Sequence, residues 1–280
     1  MLRRSRLFYK INMKQHLGLS VSLFALVFFS QEEAFAQQKD FVVQDLRDPV
    51  VLRTLFDAVA IDSFGEALWK PNFSESSEFP VCYDSLCHTA LDTIMEYRTS
   101  RDTAAIVLFA TWQYYNNGNH VRMSCHACGP LLSIARFRQQ PQGWVFQCMR
   151  KDYAWHGAWG RRDPVKLQRI GKEEYALELD YLNGGQGYMG GGMTLYDLAS
   201  FSEMFFTSTH EDNLGADPDG YSWTKTIRFV PATKDAWYYD LVTTTKGTGL
   251  RNPDERNSPI VKQRHTNRYR YDSRHYVPVE

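Results

Sequence analysis

The chain predicts a mainly antiparallel β protein, a sandwich or curved partial barrel of about nine to eleven strands preceded by one or two short helices. Three observations carry this expectation. From about residue 93 the apolar residues recur with a period of two, and clusters of Gly, Asn, Pro and Asp punctuate the chain at short intervals. Helical spacing is confined to the first part of the sequence. No longer repeat of the kind that builds a propeller or solenoid is visible.

The elements follow in order. Residues 13–36 read as an export signal: Lys14 and His16 lie in a short basic region, residues 17–29 are apolar, and Ala34-Phe35-Ala36 is a small-x-small cleavage site. Met13 then serves as the initiator, and residues 1–12 are an over-extended start. The apolar run is shorter than the roughly 20 residues of a membrane span, and no cysteine follows it for acylation. A periplasmic or secreted chain beginning near Gln37, with no transmembrane or lipid anchor, is expected. Removal of the signal, residues 1–36, leaves residues 37–92 as a helical and loop segment packed on the sheet, and residues 93–280 as the β domain. Asp48-Pro49 has the form of an N-cap followed by Pro at the first helical position, with Leu52, Leu55, Phe56 and Val59 at helical spacing. A helix over 49–61 is predicted, then a polar, proline-bounded loop over 71–82 and a short helical turn over 83–91.

Strands are expected over 93–99, 103–115, 131–138 and 144–151. The second is apolar on both faces, with Val107 and Phe109 on one side and Leu108, Ala110 and Trp112 on the other, as in the middle of a covered sheet. Tyr175, Leu177, Leu179 and Tyr181 alternate with Ala176, Glu178 and Asp180, which predicts a half-buried strand whose carboxylates face solvent. Residues 224–230 and 236–245 form a hairpin, 246–264 a long glycine- and proline-bearing loop, and 267–279 a last hairpin.

Formal net charge is zero, with 32 basic and 32 acidic side chains. Loss of the leader leaves the balance near neutral, which gives no reason to expect a nucleic-acid partner. Arg268-Tyr269-Arg270-Tyr271 alternates as a strand, tyrosines inward and arginines outward.

Five cysteines, Cys82, Cys87, Cys125, Cys128 and Cys148, sit behind the export signal. Two disulfides among Cys82, Cys87, Cys125 and Cys128 are expected, with the connectivity open and Cys148 left as a free thiol. Cys148 would share a face with Trp144 and Phe146 in the core. A redox couple at Cys125-His126-Ala127-Cys128 is the sharper alternative, but Gly129-Pro130 and a following strand deny it the helix N-terminus that lowers a thiol pKa. A zinc site would join the four cysteines to His88 or His126, against the oxidising compartment. Covalent haem lacks the usual Cys-x-x-Cys-His at Cys125, where Gly129 follows.

Gly185-Gln186-Gly187-Tyr188-Met189-Gly190 matches the letters of a dinucleotide fingerprint, but a strand follows where the motif needs a helix. A hairpin opened by Asn183-Gly184 is expected, whose loop could rim a cleft with Gln186 and Tyr188. Glu211, Asp212, Asp217 and Asp219 form an oxygen-rich loop that offers calcium an alternative to plain Asx turns, without EF-hand spacing. In Trp155-His156-Gly157-Ala158-Trp159, the indoles could stack on a sugar or peptide while His156 hydrogen-bonds it. No nucleophile elbow and no His-Glu-x-x-His helix are present. The reading is therefore an exported, non-enzymatic binding module, without an expected cofactor, for a small-molecule, glycan or protein ligand. The rivals are a thiol-disulfide protein using Cys125 and Cys128 and a glycan-active enzyme using the Trp155 to Trp159 loop.

Overall fold

The computed structural model describes residues 41–70, 86–112, 114, 121–125, 128–252 and 258–279. The export signal, the loop expected over 71–82 with Cys82, and His126 lie outside the described residues. What is described is mostly strand, in two antiparallel sheets with one short helix near the N-terminus.

The helix, α1, spans Pro49–Phe56. Asp48 caps it, its carboxylate accepting the Val50 amide at 2.9 Å, and Pro49 stands in the first turn, where no backbone donor is needed. It ends before residue 61 because Asp57 turns left-handed at φ 51°. Ala60–Ile61 instead forms strand β2, paired with β3 (Ala67–Trp69). Val51, Leu52, Leu55 and Phe56 are buried, and the Phe56 ring lies 5.2 Å from that of Trp69 and 5.3 Å from that of Phe109.

The first sheet holds β1 (Val42–Val43), β2, β3, β4 (Cys87–Arg98), β5 (Thr103–Trp112), β6 (Leu131–Gln140) and β7 (Gly143–Trp155), in the order β1-β7-β6-β5-β4-β3-β2. Where a helical turn was expected over 83–91, the chain is strand from Cys87 onward. Residues 87–89 pair with 67–69, so a sheet neighbour satisfies their backbone groups. β5 runs through the centre and is covered on both faces, as its apolar pattern requires. Val107 and Phe109 face the core under α1, while Ile106, Leu108, Ala110 and Trp112 face the second sheet.

That second sheet is an up-and-down meander of eight strands. They are β8 (Val165–Arg169), β9 (Tyr175–Gly185), β10 (Tyr188–Asp197), β11 (Glu203–Asp212), β12 (Ser222–Pro231), β13 (Tyr239–Leu250), β14 (Ile260–Tyr271) and β15 (Tyr276–Pro278). Leu177 and Leu179 of β9, with Leu198 and Phe201, pack on Ile106, Leu108, Leu132 and Ile134 of the first sheet. Farther along, the meander curls. Phe205 of β11 and Tyr269 of β14 have ring centroids 4.9 Å apart, whereas three strand spacings in a flat sheet would hold their backbones roughly 14 Å apart. One end of the curl is tied shut: Tyr239 N–H donates to Ile170 O at 2.8 Å and Lys172 N–H to Trp237 O at 3.0 Å. Ile170, Met193, Leu195, Met204, Leu241 and Tyr276 fill the interior at that end.

Three local expectations are corrected by this arrangement. The loop expected over 246–264 is largely β13 and β14, because Gly247 has sheet partners on both sides, Trp223 and Gln263, which hold an intrinsically poor strand residue in the ladder. Glu178 does not face solvent; it is buried in the curl, with Lys166 Nζ 2.8 Å from its Oε1. Burial pushes its carboxyl pKa up, and Lys166 pulls it back only in part. Cys148 does not share the face of Trp144 and Phe146. The ladder slips between Arg136 and Phe137, so Phe146 lies opposite Phe137 but Cys148 opposite Arg136. The extra residue reverses the alternation. Trp144 and Phe146 enter the core under α1, while the Cys148 thiol is half-buried against the core between the sheets.

Candidate functional site

Cys125 and Cys128 are joined by a disulfide, Cys87 is also disulfide-bonded, and Cys148 is free. As disulfide sulfurs, Cys125 and Cys128 offer zinc no thiolates. Their structural effect lies in their carbonyls. Cys125 O accepts the Trp159 amide at 2.8 Å and Cys128 O accepts the Gly160 amide at 2.6 Å, while Ser124 Oγ donates to Trp159 O at 3.2 Å. The stapled corner thus grips the loop that follows β7 and presents Trp159, which is 56% exposed. Trp155 ends β7, paired with Leu131. His156 is buried behind the loop, its amide donating to Pro130 O at 3.0 Å. Burial lowers the imidazole pKa, against the opposing pull of Asp163 and hydrogen bonds to the Pro164 and Asp163 backbone. A neutral ring packed there supports the loop from below.

The glycine-rich segment is a hairpin of β9 and β10, and its turn is Gln186-Gly187, with φ of 53° and 85°. Positive φ at both central residues is the geometry of a type I′ two-residue hairpin, so the turn falls beyond Asn183-Gly184, and Gly190, Gly191 and Gly192 lie in β10. The tip touches the next loop closely: a Cβ on Gly187 would lie 2.3 Å from the Gly215 carbonyl carbon. In that loop the acidic side chains make turns. Asp212 Oδ1 accepts the Leu214 amide at 2.9 Å, Asp217 Oδ1 accepts the Asp219 amide at 3.0 Å, and Ser222 Oγ donates to Asp212 Oδ2 at 3.0 Å.

These segments meet around one open cleft of about 900 Å³. Ser124 comes from the disulfide corner, Trp159 from the Trp loop, Gly187 and Tyr188 from the hairpin, and Asp212 and Gly215 from the acidic loop. Tyr188 is 42% exposed and lines the same cleft as an indole more than twenty-five residues earlier in the chain. Arg161, Arg162 and Asp163 add charge to the rim. Arg162 is held by Asp92, Nε to Oδ2 at 2.7 Å, while Arg161 is solvent-exposed. Of the residues singled out from sequence, Trp159, Tyr188 and Asp212 line the cleft. Gln186 lies at the adjoining tip, and Trp155 and His156 lie behind.

A second cluster had no counterpart in the sequence reading beyond His88. Ligand atoms of Asp62, Glu66 and His88 lie within 4.8 Å of one another, the group among the described residues best placed to share a metal ion. Asp62 Oδ1 accepts the amides of Phe64 and Glu66 in a tight turn, a signal that Asp62-Ser63-Phe64-Gly65-Glu66 carries in its composition. Glu66 is buried, receives the Tyr114 hydroxyl at 2.7 Å, and is met by Arg122 at 3.3 Å. Burial first, then Glu66, pushes the Tyr114 pKa up to about 12, so the phenol donates at neutral pH. Arg122 also lies 4.1 Å over the Trp112 ring. Arg122 already places one positive charge beside Glu66.

Comparison with protein-family models, curated proteins and solved structures finds no match to this chain.

Proposed function

We propose that this protein is an exported, non-enzymatic binding module whose ligand, a glycan, lies in the cleft between Trp159 and Tyr188. One observation carries the reading: four segments remote in sequence converge on that cleft, and a disulfide corner grips the loop that offers the indole. Flat, exposed aromatic faces flanked by Arg161 and Asp163 suit a ring with an apolar face and polar edges. A gripped loop loses little freedom on binding, which favours affinity without new contacts. The extracytoplasmic location is supported by the leader-like pattern over 13–36 and by the disulfide. The test is titration of oligosaccharides against the mature protein and Trp159→Ala, followed by calorimetry. Binding weakened roughly tenfold or more in the variant is expected. Unchanged affinity would move the ligand elsewhere, and turnover of the oligosaccharide would make the protein a glycan-active enzyme.

A further inference from the structure

The open end of the curled sheet is a second cavity, of about 640 Å³, within the range of small-molecule sites. It exists because of what crosses β12, β13 and β14 level by level. Phe229, Leu241 and Tyr269 are sheet partners at the closed end; Ile227, Thr243 and Asn267 come next; then Lys225, Thr245 and His265; then Trp223, Gly247 and Gln263. The interior passes from apolar to a row of hydrogen-bond donors beneath an indole, and Gly249 of the central strand lines the cavity without a side chain to fill it.

Two groups in the donor row keep hydrogen-bonding capacity for a ligand. Thr245 is 3% exposed, lines the cavity, and its Oγ1 has no hydrogen-bond partner. Lys225 Nζ donates to Thr207 Oγ1 at 2.7 Å, lies 5.6 Å over the Trp223 ring, and pairs with no carboxylate among the described residues. An ammonium has three donors, so two remain. Partial burial alone lowers its pKa, as for a cation without a counter-ion. The carboxylate in the wall, Glu211, is already engaged: Tyr221 Oη and Tyr188 Oη donate to Oε1 at 2.5 and 3.3 Å, and Trp223 Nε1 donates to Oε2 at 3.2 Å. Those bonds also set the angle of the indole. Arg251 stands at the same cavity wall.

We propose that this cavity is a binding site for a small organic carboxylate carrying a planar ring. Its carboxylate would accept from Lys225 and Thr245, and its ring would lie against Trp223. This site is separate from the Trp159 cleft and does not depend on the glycan reading.

Matched pairs of probes test it: benzoate with benzamide, and indole-3-acetate with indole-3-acetamide, titrated calorimetrically into the mature protein. At least one acid is expected to bind about tenfold or more tightly than its amide, because a hydrogen bond to a charged group is worth more than a neutral one. Lys225→Met should abolish that preference, and Thr245→Val should weaken the acid severalfold. Lys246→Met, the same change of charge on the outer face of β13, should leave affinity unaltered. No saturation by either acid at millimolar concentration, equal binding of acid and amide, or equal losses from Lys225→Met and Lys246→Met would each overturn the proposal. The acid–amide comparison uses the unaltered protein, so it decides the matter even if Lys225→Met fails to fold.

Discussion

Replacing both Cys125 and Cys128 by Ser separates local from global roles of the disulfide corner. The bridge closes a loop of sequence separation 3, for which loop-closure entropy gives about 2 kcal/mol, against about 3 kcal/mol for a loop of some 15 residues. That is a modest loss for the whole fold, which rests on three buried clusters. Locally it is large. The amides of Trp159 and Gly160 end on the carbonyls of the two cysteines, at 2.8 and 2.6 Å, so freeing the corner frees the loop. If the loss falls on opening of this loop, exchange of the Trp159 and Gly160 amides should speed up roughly thirtyfold, since 1.4 kcal/mol is tenfold. Amides in β5 should hardly change. Native-state hydrogen exchange with site resolution reads both. Equal acceleration in β5 and at Trp159, or protection at Trp159 and Gly160 unaltered by the substitution, would refute the idea that the corner acts as a clamp on the loop.

Three further outcomes are expected. Thr89 Oγ1 accepts the Trp69 indole N–H at 2.8 Å and bonds Thr111 Oγ1 at 2.7 Å in a buried chain, so Thr89→Val should lose about 1–3 kcal/mol in urea melts for each group orphaned. Adding Thr111→Val should worsen this less than additively. Asp240 is buried, which alone would raise its pKa, but hydrogen bonds from Arg270 and Arg268 outweigh that and hold the carboxyl below its usual range. The stability it contributes is therefore present above the unfolded-state carboxylate pKa and is lost as pH falls through the lower folded value. Both arginines are half-exposed, so Asp240→Asn should lose only about 1 kcal/mol at neutral pH and flatten the acid limb of a melting-temperature profile. Burial pushes the Cys148 thiol pKa up, partly offset by Arg136. Alkylation followed by intact mass should label it slowly in the native protein and promptly in urea; equal rates would place it at the surface.

Sequence patterns revealed much of the scaffold because the physics behind them is local. The Asp48 cap needs only its own backbone, and the two-sided apolar run of β5 states directly that both faces are covered. What escaped depends on neighbouring strands. The slip opposite Arg136 and Phe137 moves Cys148 to the other face, and nothing within residues 143–155 announces it. Gly247 and Gly249 read as loop because their ladder partners are supplied from elsewhere. The candidate cleft was legible as pieces: Trp159, Tyr188 and Asp212 stand out as residue types in loop-like surroundings. Their convergence was not, because it needs the hairpin tip seated on Gly215 and the Trp loop gripped by the disulfide corner.

By itself, then, the sequence determined an antiparallel β protein, its central strand and its helix start, since hydrophobic period, capping and turn chemistry act over a few residues. Tertiary structure alone decided that the meander curls, that Lys225, Thr245 and His265 fall in one row, and which face of β7 carries the free Cys148. Those outcomes follow from register and curvature, which are set by pairing between strands and appear in no single segment.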